Sequence, residues 1–341
     1  MGKGPDPSQI MQIGLGFMAS KTLLSAVELG VFTVLARAPL TGPELAKAIG
    51  VSERATFDFF DGLVALGLLG RDGDGPAGKY RNSSDTALFL DKESPAYIGG
   101  ILEMANARLY GFWADLSEGL RTGQPQNETK GGGEAIFAKL YAEPERLEQF
   151  MSAMAGVSAG NFAAFAEKFD FSKYTTLCDM GGATAQLSCL VAARHTHMRC
   201  TSFDLPPVQP IAQRWIDKAG LSDRVTAVVG DFFAGDLPKA DVITMGMILH
   251  DWNLENKKLL IKKAYDALPE GGALVAIEAI IDDARRENVF GLMMSLNMLV
   301  EFGEAFDFTG ADFAGWCKEA GFRDVEIMPL AGPSSAAIAY K

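Results

Sequence analysis

Cysteine, histidine and unbroken apolar runs are all scarce in this 341-residue chain, and each scarcity excludes something. The four cysteines (Cys178, Cys189, Cys200, Cys317) show no CxxC or other metal-ligand spacing. Three lie in apolar stretches, so buried free thiols are expected, with neither disulfides nor a metal. No apolar run approaches the length of a membrane span. The start, "MGKGPDPSQI", lacks the apolar core of a signal peptide, and Asp6 stands where an N-myristoylation pattern needs Ser or Thr. The expectation is a cytoplasmic protein with no membrane partner. Positive charge is short too. A formal net charge of −12 argues against a nucleic-acid partner. What remains, 48% hydrophobic residues and 37 glycines, suits an α/β enzyme large enough for two domains.

The first third reads as helical. "GFMASKTLLSAVELGVFTVLA" carries apolar residues on a wide face. "TGPELAKAIG" opens with a capping box, Thr41 with Glu44, and Pro43 in the first turn. Ser52 is the expected cap of the next helix, "ERATFDFFDGLVALGLL", and "GRDGDGPAGKYRNS" reads as a β-hairpin. Helix, turn, helix, hairpin is a winged-helix pattern. On the helix that would read DNA, Glu53, Asp58 and Asp61 outnumber Arg54, so a phosphate backbone would be repelled. A structural, dimer-forming winged helix is the better reading, over residues 1–120.

"RTGQPQNETKGGGE" (121–134) reads as a surface loop, and a helical region from about Pro144 to Lys168 follows. Together, residues 121–170 form a linker with bridging helices. From Tyr174 short apolar strands alternate with helices: Thr176–Met180, Arg199–Asp204, Val225–Gly230, Asp241–Met245, Ala273–Ala279, Asp324–Leu330 and Ala336–Tyr340. Helices between the first five imply parallel βαβ units, hence a Rossmann-like, doubly wound α/β sheet over 171–341.

In such sheets ligands bind beyond the carboxyl ends of the strands, at the switch point. Here those ends cluster small and acidic residues. "LCDMGGATAQ" places Asp179 before Gly181 and Gly182, which allow close backbone approach. "TSFDLPPV" places Asp204 where a carboxylate accepts from a ribose diol. "VVGDFF" offers Asp231 to an adenine amino group and Phe232 as a flat apolar face. Each has a bland counterpart: Asp204 and Asp231 as helix or turn caps, Phe232 as core. There is no GxxxxGK[ST] for a triphosphate and no GxGxxG for a dinucleotide. A nucleoside without phosphate fits, and S-adenosylmethionine is the common one. The candidate contacts are Asp179, Gly181, Gly182, Asp204, Leu205, Asp231, Phe232 and Met245.

"MGMILHDW" ends the fourth strand with His250, one of three histidines. A hydroxyl accepting a methyl group attacks poorly unless a base removes its proton, and histidine suits that task near neutral pH. A carboxylate on the other ring nitrogen would fix the tautomer. Glu278, ending "LVAIE", and Asp307, in "GEAFDF", are the candidates, although Asp307 also reads as a solvated turn residue. Trp252 is expected to pack the turn, Asp251 to cap the next helix or brace the loop, and His195 and His197 to lie on the surface.

In these motifs the chain resembles the S-adenosylmethionine-dependent O-methyltransferases typified by plant caffeate and animal hydroxyindole O-methyltransferases. "ILHDW", "GGALVAIE", "FDLPPV", "GDFF" and "KEAGF" carry the resemblance, which covers most of the chain. It implies a homodimer through the N-terminal domain and a small-molecule acceptor. It also implies His250 as general base, flanked by Glu278 and Asp307, with cofactor contacts at Gly181, Asp204, Asp231 and Phe232. Departures are Ala183 and Ala185 in place of glycines, Gly246 where a long side chain is frequent, and Asp307 at a usual glutamate position. The chain is also similar to bacterial enzymes that S-methylate 4-methylthio-2-hydroxybutyrate. That acceptor would need a cation for its carboxylate, with Arg108 or Arg121 as candidates, and Met293, Met294 and Met298 would suit a thioether. A third alternative is a member that holds S-adenosylmethionine without transferring methyl.

Overall fold

The computed structural model describes residues 4–131, 140–141 and 143–341, with only the backbone of Gly131 and Glu145. The chain forms two compact units, one through Gly111 and one from Phe112.

In the first unit the expected capping box is present at Thr41 and Glu44, starting the helix Gly42–Ile49. The long N-terminal run is not one helix. Gly30, at φ 72, separates Gly16–Glu28 from Val31–Arg37, because only glycine takes that left-handed turn cheaply. Ser52 does not cap the next helix. That helix starts at Thr56, after Ala55, since residues 53–55 form a separate turn. The hairpin appears as β2 (Leu69–Asp72) and β3 (Lys79–Asn82), with β1 (Leu40–Thr41) added at the other edge of β3. Two residues are too few to show a strand period. The core gathers Val27, Phe32, Leu45, Phe60, Leu63 and Tyr80.

One sequence expectation is corrected here. Ser8–Glu28 is 21 residues long and holds an 18-residue window of mean hydropathy 1.4, enough by length and composition to cross a membrane. Gln9, Gln12, Ser20 and Lys21 interrupt it, so it does not read as one apolar block. Its apolar side chains stand mostly in the open: Ile10 and Ile13 are each 73% exposed and Phe17 55%.

The second unit is a seven-stranded sheet in the order β6-β5-β4-β7-β8-β10-β9. Its strands are β4 (Thr176–Met180), β5 (Arg199–Asp204), β6 (Val225–Val229), β7 (Val242–Gly246), β8 (Ala273–Glu278), β9 (Asp324–Pro329) and β10 (Ser335–Tyr340). β4 to β8 are parallel, and β10 joins β8 and β9 antiparallel. The expected helices connect β4 to β5, β5 to β6 and β7 to β8, but residues 230–241 link β6 to β7 without one. Helices cover both faces. Phe165, Leu187, Val191 and Ile216 pack on one side, and Leu260, Ile261, Phe313 and Trp316 on the other. The strand order reverses between β4 and β7, which makes their carboxyl ends the binding crevice.

The helix Pro144–Lys168 lies where the sequence put it. Its first turns pack Leu147 and Met151 against Val208 and Ile211, just beyond the end of β5. Of the loop expected at 121–134, residues 132–134 fall outside the described residues. Arg121 and Thr122 instead finish the helix Leu116–Thr122, and Glu128–Gly131 forms a short 3-10 turn.

Candidate active site

At the tip of β4, Asp179 is buried and accepts from Thr244 Oγ1 on β7 at 2.7 Å. Burial pushes its pKa up to about 7, against that hydrogen bond. Gly181 follows at φ 66. A Cβ there would lie 2.3 Å from Ile248 Cδ1, and one at Gly182 would lie 2.2 Å from Ser202 Oγ. Both positions therefore demand glycine. The contact with Ile248 has a second meaning: the segment leading into His250 lies directly over the glycine turn.

Most of the turn's N–H groups are engaged. Those of Gly181 and Gly182 donate to Phe203 O, that of Ala183 to Asp204 Oδ2 at 2.9 Å, and that of Ala185 to Gly182 O. A phosphate cradle needs several free N–H donors, so this turn is unsuited to a phosphate. Asp179 and Asp204 beside it suit an ammonium. Asp204, partly buried, takes one backbone N–H on each oxygen, from Ala183 and from Leu205 at 2.7 Å. Burial raises its pKa while those hydrogen bonds hold it down. Each oxygen keeps a lone pair for a diol. The alanines that stand where glycines were expected take glycine's conformation, φ 47 at Ala183 and 61 at Ala185.

Asp231, past β6, is exposed, and its Oδ1 accepts from Phe233 N–H at 2.8 Å, so it caps its own turn with the other oxygen left over. Phe232 meets Phe233 and Trp252 edge-on, with ring centroids 4.9 and 6.1 Å away. Trp252 thus packs the turn as expected. Met245 is fully buried in the core with Met180 and Leu249, beneath the strand tips.

His250 lies in the short turn Leu249–Asp251 after β7, with its side chain 6% exposed. Asp307 Oδ1 is 3.4 Å and Glu278 Oε2 is 3.9 Å from Nδ1, while Asp251 Oδ1 is 3.4 Å from Nε2. Glu278 ends β8 and uses its other oxygen to accept the N–H groups of Ile248 and Leu249, at 3.2 and 3.0 Å. The carboxylate that faces the ring thus also fixes the backbone that presents it. Asp307 is buried, so it is not the solvated turn residue it could have been. Asp251 does not cap the following helix. Asn253 does, accepting from Asn256 N–H at 3.0 Å. Burial disfavours the imidazolium, but the carboxylates of Glu278, Asp251 and Asp307 outweigh it and hold the His250 pKa above its ordinary range. His250, Glu278 and Asp307 each bring one atom within 4.8 Å of the others.

His195 and His197 sit before β5, at the opposite ends of the strands. They bond the Ala166 and Phe171 carbonyls, and His195 is half-buried rather than on the surface. Sequence reasoning missed several residues of the site. Tyr141 packs with Leu147, Met151, Val208 and Ile211, and burial, then Asp204 and Asp251, push its phenol up to about 12. Asn297 accepts from Trp113 Nε1 at 2.9 Å and donates to Glu301 at 2.6 Å along the helix Val289–Phe302. Lys257 is fully buried one turn beyond the histidine. None of these has a motif signal; only an acidic or amide residue inside an apolar helix hints at them. Of the methionines, Met298 is buried, Met294 half-buried and Met293 44% exposed.

A family model described as an O-methyltransferase domain matches residues 113–323, and one described as an O-methyltransferase dimerisation domain matches residues 11–92. The chain is 39% identical over 335 residues to the tetracenomycin polyketide synthesis 8-O-methyl transferase TcmO of Streptomyces glaucescens, covering 98% of this chain and 97% of that one. It is 33% identical to the N,N-dimethyltransferase OxyT of Streptomyces rimosus, over 92% and 90% of the two chains. The crystal structure of human N-acetylserotonin methyltransferase in complex with S-adenosylmethionine is similar at a TM-score of 0.90 and 30% identity, covering 100% and 99%.

Proposed function

The chain belongs to the S-adenosylmethionine-dependent O-methyltransferase family, and from that premise we propose that His250 is the general base for methylation of a phenolic hydroxyl on a small aromatic acceptor. The enzyme is a methyltransferase that uses S-adenosylmethionine and acts on a small molecule. When bound, that cofactor supplies an electrophilic methyl group on a cationic sulfur. The residues present fit it. Asp204 would accept from the ribose, Asp231 and Phe232 would take the adenine, and the Gly181–Gly182 turn beside Asp179 would lie against the methionine ammonium and carboxylate. Leu205 braces Asp204 through its N–H, and Met245 supports the tips from below.

His250 does the proton chemistry. Asp307 and Glu278 face Nδ1 and stabilise the imidazolium, and Nε2, beside Asp251, is the nitrogen that would take the acceptor's proton. The observation that carries the reading is the seat of Ile248 over Gly181, which puts the histidine's turn against the cofactor's. The same acidic surroundings favour a phenol over a thioether carboxylic acid, whose charge Asp251, Glu278 and Asp307 would repel. Arg121, a candidate cation for such an acid, is exposed on its helix. A phenolic hydroxyl of a polyketide is the proposed acceptor, in keeping with the polyketide synthesis and O-methyl transfer in the name of TcmO.

We also assign the protein to the cytoplasm as a homodimer with neither nucleic-acid nor membrane partner. The exposed apolar helix Gly16–Glu28 and a groove lined by Leu15, Met18, Phe59 and Leu66 suit a second copy. Arg54 is engaged by Asp58, and Arg71 by Asp61, which weighs against their binding phosphates. The reading is tested by supplying S-adenosylmethionine labelled in its methyl group with panels of phenols, amines and thioether acids. Label should appear in the phenols. Label confined to another class, or never leaving the cofactor, would overturn the assignment.

A further inference from the structure

Lys257 is a buried cation near His250 that the proposed chemistry leaves unused. It stands in the first turn of the helix Leu254–Ala267, fully buried. Three things oppose an ammonium there: desolvation, the positive end of a helix dipole, and the entropy of fixing a four-carbon stem. Its immediate contacts only partly compensate. Nζ donates to the Trp252 carbonyl and lies 3.7 Å from the centroid of the Phe306 ring. Those contacts locate it well. Trp252 follows Asp251, and Phe306 precedes Asp307, so the ammonium is held between the two segments whose carboxylates flank the imidazole.

We propose that Lys257 is a positioning residue whose charge competes with His250 for the Asp251, Glu278 and Asp307 carboxylates and so lowers the pH at which the imidazole becomes a free base. The groups that face His250 are these. Asp251 is on its own turn, Glu278 at the end of β8, and Asp307 in the loop after the helix Val289–Phe302. Asp251 also interacts electrostatically with Glu301 from that helix, the Tyr141 phenol and Lys257 from the next helix. Lys257 and His250 are the only cationic groups in this set. Three carboxylates with a single cation would grip an imidazolium too firmly for a base, and a second cation loosens that grip. Burial lowers the Lys257 pKa, while Glu278, Asp307 and Asp251 raise it, as such sharing requires.

The inference rests on His250 being the base, but its test reads the histidine directly. With only three histidines in the chain, the His250 ring can be assigned by difference and titrated by NMR in the cofactor-free protein. Lys257→Met, close in shape and neutral, should raise the His250 midpoint by about one pH unit or more, tenfold in proton affinity. Lys257→Arg should keep it near the wild-type value. The acid limb of kcat/KM should move with the midpoint. An unchanged midpoint in Lys257→Met overturns the inference. A midpoint that moves while the pH profile stays put instead overturns the base assignment. Should Lys257→Met fail to fold, labelled lysine in the wild-type protein decides the matter. The Lys257 side-chain signal must respond across the His250 titration, and two independent titrations would contradict the coupling.

Discussion

His250 gains its character from what surrounds it. A histidine in water loses its proton near neutrality, but one held between Asp307, Glu278 and Asp251 keeps it to higher pH. The sign is fixed by charge. Carboxylates favour the imidazolium, so the base form grows as pH rises, and kcat/KM should rise through a midpoint above the ordinary histidine value. Removing one carboxylate must lower that midpoint. Asp307→Asn is expected to shift the acid limb down by about 1–2 pH units and to reduce kcat, since Nδ1–H loses an orienting partner. A pH-rate profile checks both at once. Glu278 was legible from the sequence because a carboxylate ending an apolar strand needs a partner, and it has three: the His250 ring and two N–H groups of the histidine's own turn. Lys257 and Tyr141 were not legible, because a lysine in a helix reads as solvent-facing until its packing is seen, and a lone tyrosine carries no motif.

At the scale of elements, the strand–turn–helix around Gly181 shows what the sequence could and could not say. Strand β4 ends where its apolar run ends, and the glycines mark the turn. The boundaries of β4 and β5 match the pattern to the residue, since each is bounded by a clear change of polarity. Periodicity could not reveal that Ala183 and Ala185 carry positive φ, because conformation there is imposed by packing. An alanine in the left-handed region costs about 1–2 kcal/mol. Replacing Ala183 with glycine relieves that cost and gives back about 0.4–1 kcal/mol through unfolded-state entropy. Ala183→Gly is therefore expected to be neutral or up to about 1.6 kcal/mol more stable, where a glycine in a helix interior would destabilise. Denaturant titration measures it. Elsewhere the same logic explains the misses: Gly30 breaks what looked like one helix, Ser52 sits one turn too early, and 230–241 crosses between strands without a helix.

At the scale of the whole molecule, the exposed apolar residues at the N-terminus call for a covering surface. Ile10, Ile13, Phe17 and Met18 are each more than half exposed, a patch that a lone soluble domain rarely tolerates. The dimerisation-domain match over residues 11–92 points to a second copy. The double variant Ile13→Asp, Phe17→Asp should shift the protein from dimer to monomer in sedimentation velocity without unfolding the second unit. Partition of the wild type into vesicles would favour a membrane as the covering surface. The fold class was legible throughout this scale, because alternation of strand and helix is a long-range pattern that survives errors at single boundaries. The helix itself was legible, but the apolar length of Ser8–Glu28 was not, because a few polar residues interrupt it.

The measurement closest to the centre of the account separates chemistry from binding at one residue. In His250→Ala, cofactor affinity is read by calorimetry and methyl transfer by label. Loss of a general base costs about 10²- to 10⁴-fold in kcat. The account predicts that loss, with cofactor affinity within about twofold of wild type, because no cofactor contact is assigned to the imidazole. Turnover that survives, or cofactor binding that disappears with it, would contradict the account.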